Sequence, residues 1–134
     1  MYKLNILPFI GTETYKLGML FDEAKKSLND QIQIIENKKE KKIIDGMGMV
    51  SMKFTNDELS EFSILESDQV FFENLDVFSD TFHEIFKQNY DAVYKYGFLI
   101  FDQIGIALSG YAEKEEQKTI TVYRKGAWNH ILEM

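Results

Sequence analysis

The chain has no cysteine, a single proline and only two histidines. Without cysteine it can form no disulfide, no thiolate zinc site and no thiol nucleophile. Its longest apolar runs, such as residues 97–101, fall far short of the roughly 18 residues that a membrane span needs. Pro8, Gly11 and Glu13 interrupt the apolar N-terminal stretch, which is unlike a secretory signal. We therefore expect a cytoplasmic protein with no membrane span.

Negative charge is in excess, with 22 acidic and 15 basic residues and a formal net charge of −7. Such a surface repels a phosphate backbone, so we expect no nucleic-acid partner. It favours encounter with a basic protein, although acidity of this degree is also what keeps many soluble proteins dispersed. The 134 residues are 45% hydrophobic and 14% aromatic, enough for one domain, 1–134, with its own core.

Apolar spacing predicts two helices, over 21–29, where Phe21, Ala24 and Leu28 share a face, and over 80–90, with Ser79 as N-cap. Residues 31–36 read as a strand, although they could also continue the first helix. A charged turn is predicted over 37–42 and a hairpin turn over 55–58. Further extended segments are predicted over 3–10, 43–54, 59–66, 69–77, 97–111 and 119–124.

An internal repeat is predicted at an offset of 57 residues. The identical pairs are Phe21 with Phe78, Gln31 with Gln88, Lys38 with Lys95, Ile43 with Ile100, Asp45 with Asp102 and Gly48 with Gly105. Each unit, about 11–76 and about 77–134, is too small to bury its own apolar face. We therefore expect an α+β fold, a single antiparallel sheet built from two helix-plus-hairpin repeats, with the helices packed on one face and the other face free to bind.

Chemistry-bearing motifs are scarce. His83 and His130 lack a metal-ligand spacing, and Gly46 with Gly48 lacks the third glycine and the following helix of a phosphate loop. Asp45 and Asp102 are open to two interpretations, a carboxylate pair brought together by the repeat or two separate turn residues. We predict no catalytic residue, no metal and no cofactor.

A partner-binding surface is predicted near the C-terminus, where carboxylates lie close in sequence to large aromatic residues. Aromatic side chains carry much of the energy of protein interfaces, and carboxylates complement a basic partner. The acidic cluster could equally be a solvated hairpin turn. The candidate partner-binding residues are Glu113, Glu115, Glu116, Tyr111, Tyr123 and Trp128.

Three runs carry a family resemblance: YKLGM at 15–19 before the first helix, FDQIGI at 101–106, and TVYRKGAW at 121–128. They resemble the tandem-repeat domains of the β-lactamase-inhibitory-protein type, and the chain is similar in character to small bacterial immunity proteins. The resemblance implies a binding protein that neutralises a toxin, with a basic toxin domain as partner. The alternatives are a structural or oligomerisation module, which could form a homodimer through an open sheet edge, and an enzyme with an unrecognised carboxylate site.

Overall fold

The computed structural model describes residues 4–27, 32–36, 40–45, 50–66, 69–111 and 117–133. This part of the chain is mostly β, with eleven strands and three short helices. The strands are β1 Leu4–Asn5, β2 Ile32–Glu36, β3 Glu40–Asp45, β4 Val50–Thr55, β5 Glu58–Leu65, β6 Val70–Phe72, β7 Leu75–Asp76, β8 Val93–Lys95, β9 Phe98–Phe101, β10 Ile106–Ser109 and β11 Thr119–Tyr123. The helices are α1 Phe21–Ser27, α2 Phe82–Asn89 and α3 Asn129–Leu132.

Eight strands form one antiparallel sheet in the order β2-β3-β4-β5-β11-β10-β9-β8, and β1, β6 and β7 form a second, small sheet. The large sheet consists of two four-strand meanders joined where β5 pairs with β11. At this seam Ser63 and Thr121 stand opposite each other, and their hydroxyl oxygens are 2.7 Å apart in a hydrogen bond. Each meander follows a helix, α1 or α2, which agrees in order with the predicted repeat.

Three hairpins close through two-residue turns in which both residues have positive φ, the pattern of the type I′ turn. This turn matches the natural twist of paired strands, and asparagine or glycine adopts it most easily. The turns are Asn56-Asp57 between β4 and β5, Glu73-Asn74 between β6 and β7, and Tyr96-Gly97 between β8 and β9. The predicted hairpin at 55–58 is thereby confirmed.

The main core lies between one face of the large sheet and a layer made of α1, α2 and the small sheet. Alternation along β4 buries Val50, Met52 and Phe54 on this face, as predicted. Helix α2 contributes Phe82 and Phe86, and the Phe86 ring lies edge-on to both Phe72, at 4.8 Å, and Phe101, at 5.3 Å. Burial of these large rings fixes α2 against the second meander.

A second cluster covers part of the opposite face. Ile100, Ala107, Tyr123 and Trp128 are buried there, with Ile131 and Leu132 of α3 packed against them. The predicted single sheet with all helices on one face is therefore wrong, because a second sheet exists and α3 lies on the other side. The reason is the two-residue period of β11, which points Tyr123 away from the main core, so that its ring needs a separate cover.

The first predicted helix is confirmed over 21–27, and residues 28–29 lie outside the described residues. The second is confirmed from Phe82, but the predicted N-cap Ser79 is wrong, because Thr81 occupies that position. The predicted strand at 31–36 is confirmed as β2. Residues 40–42 of the predicted turn belong to β3, while 37–39 lie outside the described residues. The predicted segment 69–77 is a hairpin, since β6 turns back into β7.

Candidate functional site

A cleft of about 360 Å³ opens between α2, the β8–β9 hairpin and β10. Six of its lining residues are aromatic or aliphatic, and an imidazole, an ammonium group, hydroxyls and backbone groups make about half of its surface polar. Its volume falls within the range of small-ligand pockets. The lining residues are His83, Lys87, Tyr94, Tyr96, Gly97, Phe98, Leu99, Leu108, Ser109, Gly110 and Tyr111.

Two faces of helix α2 contact different parts of the protein. Phe82 and Phe86 point into the main core, whereas His83 and Lys87, also four residues apart, line the cleft. Side chains four apart in a helix lie one above the other, so the imidazole and the ammonium group occupy one wall. One face of this helix, with Phe82 and Phe86, therefore packs in the core, and the adjacent face, with His83 and Lys87, lines the cleft.

The facing wall carries two tyrosines that are unusually exposed for their size. Tyr94 stands opposite Leu99 in the β8–β9 pairing, on the same side of the sheet as α2, and is 67% exposed. Tyr96 is 65% exposed and occupies the first turn position with φ +53°. Holding a tyrosine there costs about 1–3 kcal/mol relative to an unstrained residue, and such strain is concentrated at functional sites.

The cleft adjoins an open strand edge, because β8 is the last strand of the large sheet among the described residues. In a hairpin with a two-residue turn, the residues that flank the turn form a hydrogen-bonded pair. Lys95 and Val93 therefore direct their backbone groups to β9, and Tyr94 directs its N–H and C=O outward. An open edge of this kind can pair with a further strand.

The electrostatics of the cleft differ from those of the whole chain. Among the residues that the structure describes, the lining contains one charged side chain, Lys87. Exposed carboxylates flank it in sequence, Glu84 on α2 and Asp91 before β8. Within the described residues, the buried Nδ1 of His83 has no hydrogen-bond partner. A buried nitrogen without a partner destabilises the fold, and its lack of accessible surface keeps it out of reach of a ligand in the cleft.

Tyr111, a predicted partner contact, does line this cleft. Its ring lies 5.7 Å from the His83 ring, and its hydroxyl donates to the carbonyl of Val77. Burial raises the pKa of Tyr111 above its ordinary value, with Asp76 as a further cause. The hydroxyl is thus committed to the fold, and the ring forms part of the cleft wall.

The structure places Tyr123 and Trp128 elsewhere, on the opposite face under α3. Their rings stack at 5.0 Å with an interplanar angle of 11°, and the Trp128 side chain is almost fully buried. The Tyr123 hydroxyl donates to Asp102, and the Trp128 indole N–H donates to Glu61. Burial, together with the bond to Asp102, raises the pKa of Tyr123. These contacts give both rings a packing role. The predicted carboxylates Glu113, Glu115 and Glu116 lie outside the described residues.

The carboxylate pair proposed as one interpretation of the repeat is excluded by the strand order. Asp45 ends β3, and Asp102 follows β9, with four strands between them in the sheet. Five strand spacings of about 4.8 Å separate the two backbones by about 24 Å. Asp102 is exposed and holds the Tyr123 hydroxyl at 2.8 Å, so its role is local.

A larger polar groove, of about 580 Å³, crosses the other face of the sheet beside Gly126. Two of its three cations pair with carboxylates, Arg124 with Glu58 at 3.1 Å and Lys53 with Glu61 at 4.0 Å, and Lys125 also lines it. Exposed pairs of this kind contribute little stability. The cleft beside α2 is more enclosed and adjoins the edge strand β8, so it is the stronger candidate.

Sequence reasoning did not single out Tyr94 or Tyr96 as binding residues. The available signal was a Tyr-Gly pair between two short extended runs, which is a hairpin turn with an atypical first residue. His83 was expected to be an exposed or boundary side chain, and it is half-buried in the structure, with only its Nδ1 atom fully covered.

No group of three His, Asp or Glu side chains in the described ranges is close enough to hold a metal ion. The same ranges contain no helix with the length and apolar character to cross a membrane. Comparison with protein-family models, with curated proteins and with solved structures finds no match to this chain.

Proposed function

We propose that the chain is a cytoplasmic binding protein that captures an extended segment of a basic protein along the edge of β8. The observation that carries this proposal is the open backbone edge at Tyr94 directly beside an aromatic cleft. Strand addition combines main-chain hydrogen bonds, which give affinity, with a pocket for alternate side chains, which gives specificity. The β8 edge and the cleft supply both parts.

The net charge of −7 supports a basic partner, because complementary charge accelerates encounter. The specific form of this proposal is an immunity protein that occludes a toxin, and the resemblance of the sequence runs to inhibitory tandem-repeat domains supports it. Binding of this kind requires no catalytic group. The absence of cysteine suits work in a reducing compartment.

A second candidate function is self-association through the sheet edges. The other end of the large sheet, β2, exposes Ile34 at 39% and Ile35 at 45%, so both ends carry apolar edge residues. Two copies could pair edge to edge, as open strands do. The like charge of the two copies opposes this association, which favours the basic partner.

The test is affinity purification from the native cell with three baits, the wild-type chain, Tyr94→Ala and Tyr94→Pro. Alanine removes the ring but keeps the outward N–H, whereas proline also removes that donor. We expect a stoichiometric basic protein that is retained at low salt by the wild type, reduced with alanine and lost with proline. Circular dichroism of the two variants shows whether each remains folded.

Equal recovery of that protein on the wild-type and Tyr94→Pro baits would refute binding at the β8 edge. Sedimentation of the purified chain over a range of concentrations addresses the second candidate. A dimer that dissociates in the Tyr94→Pro variant, with no basic protein recovered, would favour self-association over partner capture.

A further inference from the structure

We infer that the captured strand presents a valine or isoleucine beside Val93, on the α3 side of the large sheet. This inference rests on the proposed strand addition at β8 and names the residue type that the partner must carry. It follows from the register of the second meander, the exposure of Val93 and the direction of the backbone groups of β8. The face concerned is opposite to the one that carries the α2 cleft.

An apolar row crosses the second meander and ends at the edge of the sheet. Ala107 of β10 pairs with Ile100 of β9, and Ile100 pairs with Val93 of β8. Residues paired in this way project to the same face of a sheet. Ala107 and Ile100 are buried in the second cluster, whereas Val93 is 44% exposed. The row is therefore covered inside the sheet and open at its outer member.

A strand added at β8 continues this row by one residue. Side chains of paired strands stand in cross-strand rows, so one residue of the added strand lies next to Val93 on the same face. An aliphatic side chain at that position removes its own apolar surface and that of Val93 from water, which favours association. A polar side chain gains less, because it gives up part of its hydration beside an aliphatic neighbour. The row thus selects an apolar residue.

The backbone geometry narrows the choice to a β-branched residue. The strand pairs of the large sheet are antiparallel, so an antiparallel addition continues its pattern. Val93 directs its N–H and C=O toward Ile100, so it forms a non-hydrogen-bonded pair with a residue of such a strand. The Cα atoms of such a pair are only about 4.5 Å apart, which brings the side chains close together. Valine and isoleucine pack well there, because they are stiff and suit a pleated surface.

The opposite edge of the sheet ends a row of different character, although its aliphatic residue is equally exposed. Ile35 of β2 is 45% exposed. The register of β2, β3 and β4 places Lys53 in line with Ile35, and Glu61 of β5 pairs with Lys53. An aliphatic residue added beside Ile35 would join a row that is charged at β4 and β5. The β8 edge is therefore the better match for an apolar residue.

A basic partner can carry its positive charge at the neighbouring positions of the same strand. Successive residues of a strand project to opposite faces, so the two residues that flank the aliphatic one project to the side of Tyr94. The Tyr94 ring is 67% exposed, and an exposed tyrosine ring attracts an ammonium or guanidinium group. The captured strand would thus alternate between apolar and basic residues.

The test uses two basic pentapeptides as probes, acetyl-Thr-Lys-Val-Lys-Thr-amide and acetyl-Thr-Lys-Thr-Lys-Thr-amide. The central residues have nearly the same shape, and a hydroxyl in the second replaces a methyl group in the first. Binding is followed by the amide shifts of Val93 and Tyr94, with Ile35 on the opposite edge as reference. We expect the valine peptide to bind with a dissociation constant on the order of 1 mM. The threonine peptide should bind roughly fivefold more weakly, because the apolar cross-strand pair is lost.

Val93→Thr should reduce the difference between the two peptides to less than about twofold, because the partner of the central valine is then itself polar. Ile35→Thr, at matched exposure on the other edge, should preserve the difference. Threonine keeps the branched Cβ and the strand propensity of both sites, and circular dichroism checks that each variant is folded. In the wild-type chain, either peptide should move the Tyr94 amide more than the Val93 amide, because the Tyr94 N–H points outward.

The same variants serve as baits for the native partner, and Val93→Thr should reduce its recovery while Ile35→Thr should not. Equal binding of the two peptides with a Tyr94 amide that moves would overturn the aliphatic pairing and keep strand addition. Partner capture that is lost with Tyr94→Pro and unchanged with Val93→Thr would do the same. A Tyr94 amide that neither peptide moves, with undiminished capture by Tyr94→Pro, would refute strand addition at β8 and this inference with it.

Discussion

Replacing Trp128 by alanine removes the ring that closes the second cluster, on the face of the sheet away from the main core. The indole is 3% exposed, stacks on Tyr123 and lies edge-on to Phe98 at 5.2 Å. Its N–H also donates to Glu61 at 3.2 Å. The change leaves the four-residue helix α3 without its largest contact to the sheet.

Truncation of a buried aromatic residue to alanine destabilises by about 3–5 kcal/mol, since transfer energy and packing are both lost. The lost hydrogen bond adds little, because Glu61 is partly exposed and lies 4.0 Å from Lys53. The total is a large part of the roughly 5–15 kcal/mol by which domains are stable. For a chain of 134 residues the midpoint of thermal unfolding should fall by roughly 10–20 °C.

Urea denaturation followed by far-ultraviolet circular dichroism measures this loss, because Trp128 is the only tryptophan and its variants lose that fluorescence. Trp128→Phe keeps a ring against Tyr123 and should cost about 1–2 kcal/mol. Tyr94→Ala, at a site that is 67% exposed, should stay within about 1 kcal/mol of the wild type. A Trp128→Ala variant with unchanged stability and lost partner capture would refute the packing role and support a surface anchor.

Two further predictions concern stability. Gly105→Ala should destabilise the fold by about 2 kcal/mol or more, because φ is +67° and the added Cβ would lie 2.7 Å from the Tyr123 carbonyl oxygen. Gly18→Ala is the control, since Gly18 also has a positive φ but open space around it, and it should cost only about 1 kcal/mol. Equal losses of stability for the two variants in urea denaturation would contradict this reasoning. The pKa values of Tyr111 and Tyr123 are raised in the folded chain, so their contribution to stability should be constant up to about pH 10 and fall as pH rises further, because the unfolded chain then loses protons that the folded chain keeps. Tyr111→Phe should therefore reduce the dependence of the urea midpoint on pH above about 10. An unchanged pH dependence in that variant would contradict the raised pKa of Tyr111.

Local sequence signals were sufficient for α1, for β4 and for the hairpin between β4 and β5. The spacing of Phe21 and Ala24 locates α1, and the alternation of Val50, Met52 and Phe54 locates the buried face of β4. Turn chemistry at Asn56-Asp57 marks the hairpin, since these residues adopt positive φ at low cost. These signals lie within a few residues of one another and need no knowledge of the rest of the chain.

The second sheet and α3 depend on information that the local sequence does not carry. Strand β1 is two residues long and pairs in parallel with β6, about 66 positions away, and α3 is too short to show a helical period. Trp128 was assigned to a surface because of its residue type, whereas the two-residue period of β11 places its partner Tyr123 on a covered face. Residue type indicates the capacity for a contact, and the direction of the side chain decides which contact forms.

The exposed tyrosines of the cleft were missed for a related reason. A tyrosine in an extended segment is more often half buried in a sheet than displayed at its edge. Tyr94 is exposed because β8 is terminal in the sheet, a property of the strand order as a whole. Strand order is set by long-range pairing, chiefly that of β5 with β11.

The place of β11 has a consequence for how the protein is made. It is the last strand of the described chain and yet lies in the middle of the large sheet, between β5 and β10. During synthesis the ribosome therefore releases both halves of the sheet before the strand that joins them. Until β11 emerges, the nascent chain presents β5 and β10 as two unpaired inner edges with apolar side chains, which are open to mispairing and to chaperones. A premature stop codon just before residue 119 would remove this joining strand and divide the sheet at its centre.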